Sequence, residues 1–204
     1  MVETGDWSDY VELLAKLGFV GRSCRVEYRT SLAVLPDEIG SPLTWEPIEP
    51  VGSWTLSKVA TFLREVAEGD PNFDPSADTL SELQSYLADP HLTTGPECVH
   101  VGFLAGQPVA LVIAQIVQNP DGPLEQGWSR ITYMGVLPAF RSKGLGRWVH
   151  RHGITMMRTQ GGTIYQGGTG AENNAMRRIF EVNGCVEYLR MKELALFLNP
   201  VKDA

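Results

Sequence analysis

The sequence is poor in cysteine: Cys24, Cys98 and Cys185 are the only three among 204 residues, and no two form a C-x-x-C pair. Such widely spaced thiols exclude a disulfide scaffold, a zinc ribbon and a thioredoxin-type redox motif, and they fit a reducing compartment. Long apolar runs are missing too. The longest, Val109 to Val117, is broken by Gln115 and falls far short of the roughly 20 residues that cross a bilayer. The opening Met-Val-Glu-Thr-Gly-Asp-Trp carries acid where a secretory leader carries base, and no apolar stretch follows it. Export and membrane anchoring are therefore not expected, and a cytoplasmic location is. Cations are in deficit, with 17 Lys and Arg against 24 Asp and Glu and a formal net charge of −7. That balance argues against a nucleic-acid partner, because duplex affinity comes largely from neutralising phosphates.

What is present fits one globular domain, or one domain with an appendage: 43% of residues are hydrophobic and 20% charged. A chain of this size buries about 70% of its unfolded surface, so it needs no disulfide or metal staple. The charge is unevenly spread. Residues 131–178 hold seven Lys or Arg against one acid, a local net charge of +6, which leaves −13 for the remainder.

Pro36, Gly40, Pro42, Pro47, Pro50 and Gly52 cluster within seventeen residues and divide an arm, residues 1–42, from a domain, residues 43–204. In the arm, Val11, Leu14 and Leu17 make a helical stripe ending at Gly18, and Arg25 to Leu35 alternates as a strand. Beyond it, Leu56, Val59, Phe62, Leu63 and Val66 predict a helix, and Leu80, Leu83 and Leu87 predict a second one, capped by Ser76 or Asp78. Cys98 to Leu104 and Val109 to Val117 read as a hairpin about Ala105-Gly106-Gln107, and Ile131 to Leu137 as a strand stopped by Pro138. A long helix from Gly144 to Gly161-Gly162, a short strand from Thr163, a helix over 171–183 closed by Gly184, and a last strand from Val186 complete the order. Strands alternating with helices in this way give a mixed α/β fold.

The informative stretch is Val136-Leu137-Pro138-Ala139-Phe140-Arg141-Ser142-Lys143-Gly144-Leu145-Gly146-Arg147, which runs from a strand through a loop into a helix N-terminus. Two glycines permit close backbone approach, the first helical N–H groups lack internal partners, and the helix dipole adds positive potential. Arg141, Lys143 and Arg147 supply three full charges, which suit a pyrophosphate better than one phosphate. No G-x-x-x-x-G-K-[ST] occurs, and G-x-G-x-x-G fails at Val149, so neither a P-loop nor a Rossmann site fits. R-x-x-G-x-G after V-x-P does fit, and with it residues 131–160 resemble the coenzyme A motif of the GNAT superfamily of acyl-CoA-dependent N-acetyltransferases. Asn173-x-x-Met176-x-x-Ile179-Phe180-x-x-x-Gly184-Cys185 resembles that family's second motif, and the likeness extends over residues 43–198.

The resemblance implies a GNAT-like fold, a central and mostly antiparallel twisted sheet flanked by helices, here preceded by the helix-strand arm. It implies acetyl-CoA as acyl donor and no metal. The backbone of Met134, Gly135 and Val136 would pair with the pantetheine arm and the thioester carbonyl. Arg141, Ser142, Lys143, Gly144, Leu145, Gly146 and Arg147 would take the pyrophosphate, Asn173 would orient the pantetheine or a water, and Phe180 would line the sulfur. The ordinary structural readings of these residues are core strand, helix start, helix cap and core aromatic. The family often has a tyrosine where Phe180 stands, whose hydroxyl protonates the leaving thiolate; a phenyl ring cannot do so, although such proton transfer is worth only about 10²–10⁴-fold. Cys185 likewise replaces the usual Phe. Where some relatives keep a catalytic glutamate this chain has Arg130, and Glu97, His100, Tyr133 and Tyr165 are undifferentiated candidates for a base, so the catalytic residue is open.

His150 and His152 lie at i, i+2 on different helix faces with no Cys or acid at ligand spacing, which excludes a metal pair. In the arm, Tyr10 to Phe19 with Val26-Glu27-Tyr28 echoes Arg178 to Cys185 with Val186-Glu187-Tyr188, as a degenerate repeat of the second motif would. Such an arm would complete or cover a sheet, in this chain or in the mate of a homodimer. The expected activity is acetyl transfer from acetyl-CoA to a primary amine of a small molecule or protein. The competing expectation is a coenzyme A-binding regulatory or scaffold module without turnover. A longer-chain acyl donor would require a widened tunnel beside Val136.

Overall fold

Apolar alternation and left-handed turn residues together shape one sheet in the computed structural model, which describes residues 8–70, 73–88, 92–93, 95–117 and 127–196. Helix α1 (Ser8–Lys16) ends at Gly18, whose φ of 88° is the left-handed conformation of a helix C-cap, and leads into strand β1 (Phe19–Ser31). The strand stops earlier than its alternation suggested because Ser31 Oγ accepts the Ala33 N–H and starts a short 3₁₀ turn. After the short strand β2 (Thr44–Pro47), Thr55 caps helix α2 (Leu56–Val66) by accepting from the Lys58 N–H at 3.2 Å. Asp78, not Ser76, caps helix α3 (Thr79–Ala88), its carboxylate accepting from the Ser81 N–H at 3.2 Å. The two-residue strand β3 (Leu92–Thr93) follows.

Strands β4 (Val99–Leu104) and β5 (Gln107–Val117) form the expected hairpin. Ala105 and Gly106 at its tip both have positive φ, 50° and 80°, and so match the twist that a two-residue hairpin requires. Strand β6 (Trp128–Val136), helix α4 (Gly146–Thr159), strand β7 (Ile164–Gly170), helix α5 (Asn174–Val182) and strand β8 (Val186–Leu196) complete the chain. Between β5 and β6, Pro120, Gly122 and Pro123 predict a loop, and residues 118–126 lie outside the described residues.

The sheet order is β2-β4-β5-β6-β7-β1-β8, with β3 added on β5. Every pairing is antiparallel except β6 with β7. The strand of the arm thus lies inside the sheet, antiparallel to β7 on one side and to β8 on the other. Helices α1 and α5 each span nine residues and each end in a left-handed glycine, Gly18 and Gly184.

Because helices cover both faces, the central strand β5 is apolar on both. Leu111 and Ile113 join Val59, Phe62, Leu63 and Val66 of α2, whereas Val112 and Ala114 join Val149, Ile154 and Met157 of α4. Each of the valine, leucine, isoleucine, phenylalanine and methionine side chains among them stabilises the fold by about 1.5–3 kcal/mol through its removal from water. No described helix is long and apolar enough to cross a membrane.

Candidate active site

Strands β6 and β7 share only two paired positions, Trp128 with Ile164 and Ser129 with Tyr165. Beyond them the strands part. On its other edge β6 stays paired with β5 as far as Val136, and β7 stays paired with β1 as far as Gly170. The register of β5 on β6 skips at Thr132, which has no partner opposite it, and an extra residue of this kind bends its strand and raises its twist. A wedge therefore opens between residues 130–136 and 166–170, edged by backbone groups without a neighbouring strand.

The loop leading into α4 closes this region of the fold. Ser142 and Gly144 both have positive φ, 61° and 75°. Among the described residues the amides of Ser142 to Leu145 make no backbone hydrogen bond, and Trp148 and Val149 are the first to bond back, both to the Leu145 carbonyl. Alternating left-handed residues before a helix leave N–H groups pointing outward, and a concave nest of this kind favours an anion. The two glycines serve different ends. Gly144 is needed for its backbone angle and has nothing within 4 Å of where a Cβ would stand, whereas a Cβ on Gly146 would stand 2.8 Å from Ile179 Cδ1 of α5, so that side chain would have to turn aside.

The cations of the loop are placed less uniformly than their sequence spacing suggested. Arg147 lies exposed over the Trp148 ring at 4.9 Å. Lys143 folds back, its Nζ donating to the Ala139 carbonyl at 3.0 Å and sitting 4.9 Å from the Phe140 ring centre. Arg141 turns to the opposite side, donating from Nε to the Val136 carbonyl at 3.0 Å and from Nη2 to the Val66 and Glu68 carbonyls at 2.8 and 2.7 Å. Of the strand residues, Gly135 is required by packing: a Cβ there would lie 2.5 Å from Val66 Cγ1, so α2 rests on β6 at this point. Met134 is partly buried and Val136 is 8% exposed.

Asn173 is the N-cap of α5, its Oδ1 accepting from the Met176 N–H at 3.0 Å. Phe180 is 2% exposed, stacked on Tyr28 with ring centres 4.3 Å apart, and a Cβ on Gly167 of β7 would meet its Cε1 at 3.0 Å. Beside it lies a buried polar set that the sequence did not reveal. Asn183 Nδ2 donates to His150 Nδ1 at 2.9 Å and to the Arg147 carbonyl at 3.1 Å, while its Oδ1 accepts from Arg151 Nε at 2.8 Å. His150 Nδ1 is thus an acceptor, and in the neutral ring Nε2–H donates to Tyr165 Oη at 2.9 Å. Burial pushes the imidazole down to about 3, with Arg151 adding to the effect, and burial also raises the Tyr165 phenol well above its ordinary value. Both groups stay neutral near pH 7.

A second, half-buried set lies on the same face of the sheet, between β4 and α4. Glu38 accepts from Trp45 Nε1 at 2.8 Å and from His152 Nδ1 at 2.6 Å, and His152 Nε2 shares a proton with His100 Nδ1 at 2.8 Å. Trp45 stacks on His152 with ring centres 4.0 Å apart. Burial opposes ionisation of Glu38, but its hydrogen bond to His152 and that residue's charge outweigh it, so the carboxyl lies below its ordinary value. Burial and the neighbouring His152 push His100 down to about 4. His100 and His152 line an apolar pocket of about 220 Å³ with Pro47, Thr155 and Met156. No group of three or more His, Cys, Asp or Glu among the described residues has metal-binding geometry.

The other candidate bases are scattered. Tyr133 faces α2, where burial and Asp70 push its phenol up to about 12. Arg130 donates to Gln115 Oε1 at 2.8 Å. Glu97 lies at the pocket of His100. Burial pushes the Cys98 and Cys185 thiols up to about 12, so neither is a thiolate at neutral pH.

A wedge between two parallel strands, closed by an anion nest at a helix start, narrows the fold further than the sheet order alone. The profile of the Acetyltransferase (GNAT) family matches residues 61–184, more than half of the sequence. The chain belongs to the GNAT acetyltransferase family. Its fold is shared with a GCN5-related N-acetyltransferase from Sphaerobacter thermophilus, at 19% identity and a TM-score of 0.67 over 92% of this chain and 55% of that one. A GCN5-related N-acetyltransferase from Kribbella flavida aligns at 16% identity and a TM-score of 0.55, over 93% of this chain and 63% of that one. The glucosamine N-acetyltransferase region of a fungal multi-domain GH3 β-N-acetylglucosaminidase aligns at 14% identity and 0.62, over 94% of this chain and 23% of that one. This GNAT chain therefore spans less than two thirds of the length of each of these structures, and the alignments to all three include most of its N-terminal arm's share of the sequence. Among curated proteins none matches it significantly.

Proposed function

We propose that the protein transfers the acetyl group of acetyl-CoA to a primary amine, with the thioester seated in the wedge between β6 and β7. The observation that carries this reading is the pairing of β6 with β7 at two positions only, which leaves Met134, Gly135 and Val136 beside an unfilled strand position. An extended pantetheine arm has the amide groups to occupy such a position. Ser142 to Arg147 would hold the diphosphate through the outward N–H groups and the exposed Arg147. Asn173 and Phe180 would border the wedge from α5, the first by fixing the start of that helix and the second through its contact with Gly167.

The chemistry is direct attack. The neutral amine nitrogen bonds to the thioester carbonyl carbon, the C–S bond breaks, and the proton lost by the amine passes through water to the leaving thiolate, which departs as free coenzyme A. Positioning and polarisation of the carbonyl by backbone N–H groups carry most of the acceleration in such a reaction. The excess of acid outside residues 131–178 favours a cationic acceptor.

The buried and hydroxyl-free Phe180 favours a second reading, a coenzyme A-binding module without turnover. One assay separates the two. Purified protein with acetyl-CoA and a panel of polyamines, amino sugars and lysine peptides should release free thiol in proportion to the amine supplied. Binding of acetyl-CoA with no amine-dependent thiol release would favour the module, and no binding would overturn both.

A further inference from the structure

We infer that Arg141, the first residue of the R-x-x-G-x-G loop, is a positioning residue that ties the C-terminal end of α2 to the wedge strand β6, and not a ligand of the diphosphate. The inference rests on the reading that residues 142–147 receive the diphosphate of the coenzyme. A guanidinium has five N–H donors in a fixed fork. Here three of them go to main-chain carbonyls, Nε to Val136 at the end of β6 and both hydrogens of Nη2 to Val66 at the end of α2 and to Glu68 in the turn after it. The remaining nitrogen, Nη1, lies against Gly69, whose built Cβ would be 3.7 Å away.

The Val66 carbonyl is one that needs a donor. The last four carbonyls of a helix have no partner within it, and the helix dipole makes that end negative. Val66 is the last residue of α2, and Val136 is the last residue of β6. The Val66 side chain also rests on Gly135, so a single segment of α2 meets β6 through packing on one side and through Arg141 on the other. Arg141 is next in sequence to the anion nest, and any displacement of that loop by a bound anion is passed to residues 66–70. Tyr133 and Asp70 stand at the same end of α2, and Arg141 acts on the Tyr133 phenol against the upward push of burial and Asp70.

The test compares wild type with Arg141→Gln and Arg141→Lys in two measurements. The first is hydrogen exchange of the amides of residues 67–70, with and without acetyl-CoA. The second is calorimetric affinity for adenosine 3′-phosphate 5′-diphosphate, the part of the coenzyme that carries the charge. Loss of charge-assisted bonds should speed exchange at 67–70 by about tenfold or more in both variants, because an ammonium cannot reach three carbonyls in this arrangement. Affinity for the nucleotide should stay within about threefold of wild type, less than the loss of one bond to a charged group would cause. A loss of nucleotide affinity in Arg141→Gln of about tenfold or more, with or without altered exchange, would overturn the inference by making Arg141 a ligand. Wild-type exchange rates in either variant would overturn it too. If wild type binds neither acetyl-CoA nor the nucleotide, the proposed function fails, and the exchange rates of the free proteins still decide the role of Arg141. A variant that does not fold leaves the other to be compared, and Arg141→Lys keeps the charge of the site.

Discussion

Gly135 is where a single methyl group would be felt most directly, because Val66 Cγ1 already occupies the space a Cβ needs, at 2.5 Å. Gly135→Ala should lower stability by about 1–3 kcal/mol, the usual cost of overpacking. In a Val66→Ala background the same change should cost much less, and thermal unfolding of the four proteins checks it. Equal losses in both backgrounds would mean that α2 does not rest on this residue. A second expectation concerns acid. His100 and His150 are pushed from an ordinary 6.5 to about 4 and about 3 by burial. The unfolded chain then binds more protons than the folded one below about pH 6.5, so stability falls as pH drops from there toward 4. The melting temperature should decline over that window, and His100→Gln should remove part of the decline. Glu38, whose carboxyl is lowered, contributes stability that is lost only at more acidic pH, so it does not account for a decline that starts near 6.5. These residues also mark what local pattern could not show. The bond from His152 to Glu38 spans 114 positions and that from Arg141 to Val66 spans 75, whereas periodicity and capping rules act over a few residues. The basic spacing of the loop pointed Arg141 and Lys143 at an anion, and only the fold shows each bonded to main-chain carbonyls.

At the scale of elements, the hairpin of β4 and β5, the helices α2 to α5 and the loop before α4 were legible, because each carries its own turn or cap residue. Asp78, Asn173, Gly106 and Gly184 are local signals with local causes. The place of β1 was not legible. Its alternation identifies a strand, but nothing in it names β7 and β8 as neighbours more than 130 residues away. That placement makes the arm structural. Removing residues 1–40 would take out a strand bonded on both edges, strand β8 would lose its one partner among the described strands, and the buried Val26, Tyr28 and Leu32 would leave the core. The truncated protein should be insoluble or lack cooperative unfolding by circular dichroism. A soluble, cooperatively folding truncation would show that β7 and β8 can close on each other without it.

For the molecule as a whole, a basic segment inside an acidic chain is the feature that joins sequence, fold and chemistry. The +6 of residues 131–178 is carried largely by α4, α5 and the loop between β6 and α4, around the wedge where an anionic coenzyme would enter, and the negative remainder suits an amine. Its field would be screened over about 8–10 Å at physiological salt, so coenzyme affinity should weaken as salt rises. The most direct measurement is a calorimetric titration of acetyl-CoA into wild type and into Lys143→Glu with Arg147→Glu. The account predicts saturable one-to-one binding to wild type and a loss of at least about tenfold in the double variant, in which two charges at the nest are reversed. Unchanged affinity in that variant would place the coenzyme elsewhere, and no binding to wild type would contradict the coenzyme site itself.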